Sequence, residues 1–205
     1  QHVQFSEPGS RNLLENGSVG TVEAAMSAGP PQTPFTKPIV QAPIAVTGFA
    51  IAFRLDNASG REVRQANLTP RLLAKLLTMS YATSIGFRSQ YTALADNPLS
   101  IVDDPEFRAL NPDMMNYING YDFTPAATLY AMSSDSDVMW ALTSYINADP
   151  EARAWLDGQA DPWGMKVNPN YKGIVLPTVS WPSLDTTVNS LLAAVPCFGV
   201  TPLPW

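Results

Sequence analysis

The chain has 205 residues, enough for one large core or two small lobes. Charged residues make up 15% of it, against a usual share of about 25%, and 12 basic residues stand against 18 acidic ones, a net charge of −6. Such a chain lacks the basic stripe that neutralises phosphates, so nucleic acid is not an expected partner, and a hydrophobic share of 45% is too high for a disordered acidic chain.

Residues 1–41 are rich in Gly, Pro, Ser and Gln and read as an arm or connector, with Gly29-Pro30-Pro31, Pro34 and Pro38 keeping it extended or irregular. A short helix fits Val19 to Ala28, where Val22, Ala25 and Met26 fall at helical spacing. Residues 42–205 read as one α/β domain. Its first element, Pro43 to Leu55, is apolar on both faces and rich in β-branched and aromatic residues, which predicts a central buried strand bent at Gly48. Asp56 to Gly60 is turn chemistry. Thr69 then suits an N-cap and Pro70 the first helical position, with Leu72, Leu73, Leu76 and Leu77 as the apolar face.

A second helix is predicted from Asp104, its cap, through Pro105 to Leu110, and Asn111-Pro112 stops it. Thr128 to Met132 suits a buried strand. Ser133 to Asp137 is a polar turn that opens a helix from about Ser136 to Ala148. Asp149-Pro150 starts another, which Gly158 ends. The tail from Asp161 to Trp205 carries seven prolines, and one helix fits between Leu184 and Val195, the rest being short strands and turns. Strands alternating with helices predict an α/β fold, a mixed sheet flanked by helices.

The order of these elements resembles that of the phosphate-type periplasmic solute-binding proteins of transport systems. Three segments carry the resemblance: the proline-led strand Pro43 to Leu55 with its central glycine; the helix Leu68 to Leu77, followed after an insertion of roughly Thr78 to Val102 by Phe107-Arg108-Ala109-Leu110-Asn111-Pro112; and Thr143-Ser144-Tyr145-Ile146. Together they span about 42 to 158. The resemblance implies type II binding-protein lobes, an oxyanion held between them, a membrane transporter that receives it, and an extracellular or cell-surface location. The family's anion loop reads Arg-x-Asp-Gly-Ser-Gly-Thr at the start of a helix, where backbone N–H groups, hydroxyls and a guanidinium converge on the anion.

Aligned through Ser144-Tyr145, this chain keeps only the serine of that loop, as Ser136. Met132 stands in place of the arginine, Ser134 in place of the aspartate and Val138 in place of the threonine, while Asp135 and Asp137 replace the two glycines. A carboxylate about 4 Å from an anion costs on the order of 4 kcal/mol at an effective dielectric of 20. Phosphate binding at this loop is therefore not expected. The expected ligand site is Thr47, Gly48, Ser133, Ser134, Asp135, Ser136 and Asp137, open to a neutral polyol, a sugar or a cation. A helix cap explains the same serines and acids without any ligand.

Two other segments pair aromatics with acids as sugar sites do: Asp161-Pro162-Trp163-Gly164-Met165 and Trp181-Pro182-Ser183-Leu184-Asp185. Either could equally anchor a core. His2 is the single histidine and Cys197 the single cysteine, so no intrachain disulfide, zinc-type site or Ser-His-Asp arrangement is expected. No cofactor is expected either. Asn16-Gly17-Ser18, Asn57-Ala58-Ser59 and Asn67-Leu68-Thr69 fit the glycan acceptor pattern. The longest apolar run, Ala42 to Phe53, falls short of the ~18 residues of a membrane span. A start at Gln1 reads as a processed product or a piece of a longer protein. The function that follows is a non-enzymatic, extracytoplasmic solute-binding-like module. The alternatives are a structural or interaction part of a larger cell-surface protein, joined to other domains of its polypeptide, and a carbohydrate-active domain using the Asp/Trp pairs.

Overall fold

The computed structural model describes residues 10, 12, 14–15, 24–26, 34–46, 48–53, 62–84, 92–112, 127–129 and 136–182. The helices with full bounds are α1 (Pro70–Leu77), α2 (Pro105–Leu110), α3 (Asp137–Asn147) and α4 (Pro150–Leu156). Single 3₁₀ turns lie at Thr92–Leu94, Ile101–Asp103 and Pro169–Tyr171.

Each helix begins where its sequence supplies a partner for the orphan N–H groups of the first turn. Thr69 caps α1 by accepting from the Leu72 N–H, Asp104 caps α2 by accepting from the Glu106 N–H, and Asp149 caps α4 by accepting from the Ala152 N–H. In all three, proline takes the first turn, as the sequence predicts. Ser136 does the same for α3, its hydroxyl accepting from the Met139 N–H at 3.2 Å. The C-terminus of α4 closes on Gly158 at φ +104°, with the Gln159 N–H bonded to the Ala154 carbonyl. The same closure ends α1, where the Ser80 N–H reaches the Lys75 carbonyl, but the left-handed position is filled by Met79 at φ +50°.

The chain divides into two compact units, one of 1–51, 131–144 and 176–182, the other of 52–130, 145–175 and 183–205. The core of the second unit is built on α1. Leu72, Leu73, Ala74, Lys75, Leu76 and Leu77 are all buried, so α1 is enclosed on every side. It packs against α4, which buries Ala152, Trp155 and Leu156. Tyr81, Leu94, Ile101, Val102, Phe107, Met165, Val167 and Tyr171 complete this core. Buried amides tie the loops to the end of α1. The Asn97 amide donates to the Ser80 and Lys166 carbonyls, and the Asn168 amide donates to the Met79 carbonyl. In the first unit, Thr143 on α3 exchanges two hydrogen bonds with the Thr178 backbone, and the Ser136 N–H donates to the Val179 carbonyl.

The predicted α/β sheet is not found among the described residues. The described residues are about 38% helix and contain no strand, so this is not a mixed α/β fold of the type II binding-protein kind. Pro43–Val46 and Gly48–Phe53, expected as a central buried strand, are irregular, and Val40, Ile44 and Val46 are largely or wholly exposed. The physical reason is pairing: a strand exists through its ladder, and among the described residues 38–46 make no backbone hydrogen bond. Ala127–Leu129 is likewise irregular, and the Leu129 N–H bonds instead to the Leu76 carbonyl at the end of α1. Residues 24–26 of the expected early helix are not helical, whereas Ser10, Asn12, Leu14 and Glu15 are. Residues 130–132 of the second expected strand and the expected helix at 184–195 lie outside the described residues.

Candidate functional site

The chemistry-bearing residues that the structure brings together are in the second unit, around Lys75. Lysine in an apolar helix normally faces water, and the helical period sets Lys75 away from the Leu72, Leu73, Leu76 and Leu77 face. Here α2 and the turn after α4 cover that side, and the Lys75 side chain is fully buried. A buried ammonium needs charged partners. Its Nζ donates to Asp104 Oδ2 at 2.8 Å, Glu106 Oε2 at 2.9 Å and Asp161 Oδ2 at 2.7 Å, which uses its three protons.

Each carboxylate is itself engaged elsewhere. Asp104 Oδ2 also accepts from the buried Tyr81 hydroxyl at 2.9 Å, and its Oδ1 is the cap of α2. Glu106 Oε1 accepts from the Thr69 hydroxyl at 2.6 Å, and Oε2 accepts from Arg71 Nε at 2.9 Å. Arg71 reaches on to the exposed Glu151 of α4 at 2.7 Å. Asp161 Oδ1 accepts from two backbone N–H groups, Trp163 at 3.0 Å and Met165 at 2.8 Å. No buried side-chain polar atom among the described residues lacks a partner.

The electrostatics follow from burial set against these partners. For Lys75, burial pulls the amine down, but the charge of Asp104 and the hydrogen bonds to Asp104 and Asp161 hold it above the usual lysine value. For Glu106, burial pushes the carboxyl up, and hydrogen bonds from Arg71 and Thr69 with the charge of Lys75 bring it below the usual range. Burial, then the nearby Asp104 charge, holds the Tyr81 phenol well above its usual value. The ammonium and Glu106 are thus charged at neutral pH. Asp104, Glu106 and Asp161 place carboxylate oxygens within 4.8 Å of one another, the spacing of a metal-ligand set, but the Lys75 ammonium bonds to all three.

The ligand residues expected from the sequence are elsewhere. Thr47, Ser133, Ser134 and Asp135 lie outside the described residues. Gly48 is exposed, and a Cβ placed on it would meet no atom within 4 Å, so no neighbouring wall closes on that point. Ser136 and Asp137 open α3 as cap and first residue, which is the helix-cap role. In the first aromatic–acid pair, the Asp161 side chain is fully buried and bonded to Lys75 and two backbone N–H groups, while Trp163 is 49% exposed. In the second, Trp181 is buried. Asn67 of the third glycan acceptor triplet donates its side-chain amide to the Leu110 carbonyl at 3.0 Å, and its backbone N–H donates to Asn111 Oδ1 at 2.7 Å. The other two acceptor asparagines are outside the described residues.

Sequence reasoning passed over Lys75, Asp104, Glu106 and Asp161 as a set. One signal was present: a lone lysine between Leu-Leu-Ala and Leu-Leu, in a helix whose N-cap and first turn carry no acid to pair with it. Comparison with family models, with curated proteins and with solved structures found no match. Among the described residues, no helix is long and apolar enough to cross a membrane.

Proposed function

We propose that the chain is a non-enzymatic, extracytoplasmic solute-binding-like module, akin to the phosphate-type binding proteins in its helical segments but without their oxyanion. This reading carries no α/β sheet with it. The observation that supports it is the union of the two helical parts, at 68–77 and 107–112, of the second segment that bears the resemblance. Asn111, of the Leu-Asn-Pro ending, accepts from the Asn67 N–H and donates to the Asn67 carbonyl at 3.0 Å, just before α1. Glu106 of α2 joins Thr69, Arg71 and Lys75 of α1. The 78–102 insertion therefore leaves the junction of the two parts closed. At α3, Asp137 sits in the first turn, where it repels an incoming anion.

The test is calorimetry and thermal shift on the purified chain. Inorganic phosphate is expected to give no heat and no shift, and a member of a panel of neutral polyols and monosaccharides is expected to raise the melting temperature. Micromolar phosphate binding, or turnover of chromogenic glycosides, contradicts the reading. A second reading, a structural or interaction part of a larger surface protein, is favoured by one observation: Val40, Ile44 and Val46 stand exposed in a segment that makes no backbone hydrogen bond among the described residues. Self-association in light scattering, with no response to any solute, selects it.

A further inference from the structure

The Lys75 cluster holds the Lys75 ammonium, the Asp161 carboxylate and a second carboxylate, Glu106, within hydrogen-bond distance in a buried core. We propose that Lys75 and Asp161 condense into an intramolecular isopeptide bond, with Glu106 shuttling the proton, so that the mature chain is covalently cross-linked between α1 and the 161–165 turn. Lys75 Nζ lies 2.7 Å from Asp161 Oδ2, and both side chains are fully buried. Holding two reactants in this way replaces a bimolecular encounter with an internal step. Burial of both side chains from bulk solvent favours condensation over hydrolysis.

Asp161 is the acceptor rather than Asp104 because its far oxygen is built for the charge that develops. Oδ1 accepts from the Trp163 and Met165 N–H groups at 3.0 and 2.8 Å, two fixed donors of the oxyanion-hole kind. Asp104 has one such backbone bond, from the Glu106 N–H, and is held as a helix cap. Glu106 Oε2 lies 2.9 Å from Nζ, and the cluster's carboxylate oxygens lie within 4.8 Å of one another. Its two methylenes let that oxygen serve both the amine and the leaving hydroxyl.

The step balances without any co-reactant. The ammonium first passes one proton to Asp161 Oδ2, giving amine and carboxylic acid. The Nζ lone pair attacks Cγ, the carbon–nitrogen bond forms, and the carbonyl electron pair moves to Oδ1. Glu106 takes a second proton from Nζ and delivers it to the Oδ2 hydroxyl. The Cγ–Oδ2 bond then breaks, the Oδ1 carbonyl re-forms, and water departs carrying both protons, so the amide nitrogen keeps one. Glu106 returns to its starting state. The residues joined are 86 apart in sequence, and the chain has only one cysteine, so this link supplies a covalent closure that no internal disulfide can.

Intact-mass measurement of the purified 205-residue chain tests this directly. The expected mass is lower than the sequence mass by one water, and proteolytic mapping is expected to yield a branched peptide joining Lys75 to Asp161. A Glu106→Gln chain, shown folded by circular dichroism, is expected to keep its full mass. The proposal is overturned by recovery of Lys75 and Asp161 in separate, unmodified peptides, whatever the intact mass. A Glu106→Gln chain that still cross-links overturns the role of Glu106.

Discussion

Met79 shows at the residue scale what the helix ends demand. The closing motif of α1 needs a left-handed residue, and α4 meets the same need with Gly158. A side chain at φ +50° crowds the backbone, which glycine avoids. Met79→Gly is expected to stabilise the chain by about 1 kcal/mol, less the cost of glycine's greater freedom when unfolded. Denaturant midpoints with an unchanged slope measure this. A lower midpoint for the variant means that the Met79 side chain packs better than its backbone strain costs. No sequence pattern marked this position, because methionine at a helix end is ordinary by propensity and the left-handed turn arises only from how Ser80 is drawn back to Lys75.

At the scale of elements, starts and stops were legible and pairings were not. Thr69-Pro70, Asp104-Pro105, Asp149-Pro150 and Gly158 carry their own local physics, and each helix begins or ends on them. Pro43 to Leu55 has strand-forming residues, but a strand requires a neighbour that no single segment encodes, and here none of the described residues pairs with 38–46. The candidate site was illegible for a related reason. Its members come from α1, from the start of α2 and from the turn at Asp161, and only the packing of those elements brings them together.

The Asn67–Asn111 clamp is the clearest of these tertiary links. Asn111 is buried, spans both backbone groups of Asn67, and also donates to the Phe107 carbonyl at 2.9 Å. Asn111→Ala removes the bonds to Asn67, which is itself exposed, and to the Phe107 carbonyl, and is expected to cost about 0.5–1.5 kcal/mol. Urea unfolding of the variant is the check, and a loss well below that range means that water replaces the clamp.

For the whole molecule, the buried charges set how stability varies with pH. Glu106 titrates lower in the folded chain than in the unfolded one, so its contribution is present above the ordinary carboxylate value of about 4.3 and is lost as pH falls through and below it. Until Lys75 is joined to Asp161, Lys75 and Tyr81 titrate higher when folded, so their contribution is present below about 10 and is lost as pH rises past it. A broad plateau between the two limbs is expected in urea midpoints taken across the pH range. Rising stability on acidification below the carboxylate range contradicts this assignment of charges.

The first unit offers no comparable anchor among the described residues. Its order rests on the Thr143–Thr178 exchange, the Ser136–Val179 bond and the Ser10 hydroxyl, which donates to the Met26 carbonyl at 2.8 Å. Before it is joined to Asp161, Lys75 is the cation about which the second unit folds. The most direct measurement is the unfolding free energy of Lys75→Met, a swap of similar length that leaves three buried carboxylates facing one another, against chain whose mass shows it is not cross-linked. A loss of about 3–5 kcal/mol or complete failure to fold is expected, as for other buried charges stripped of their partner. A loss under about 1 kcal/mol, the size of an exposed ion pair, contradicts the account.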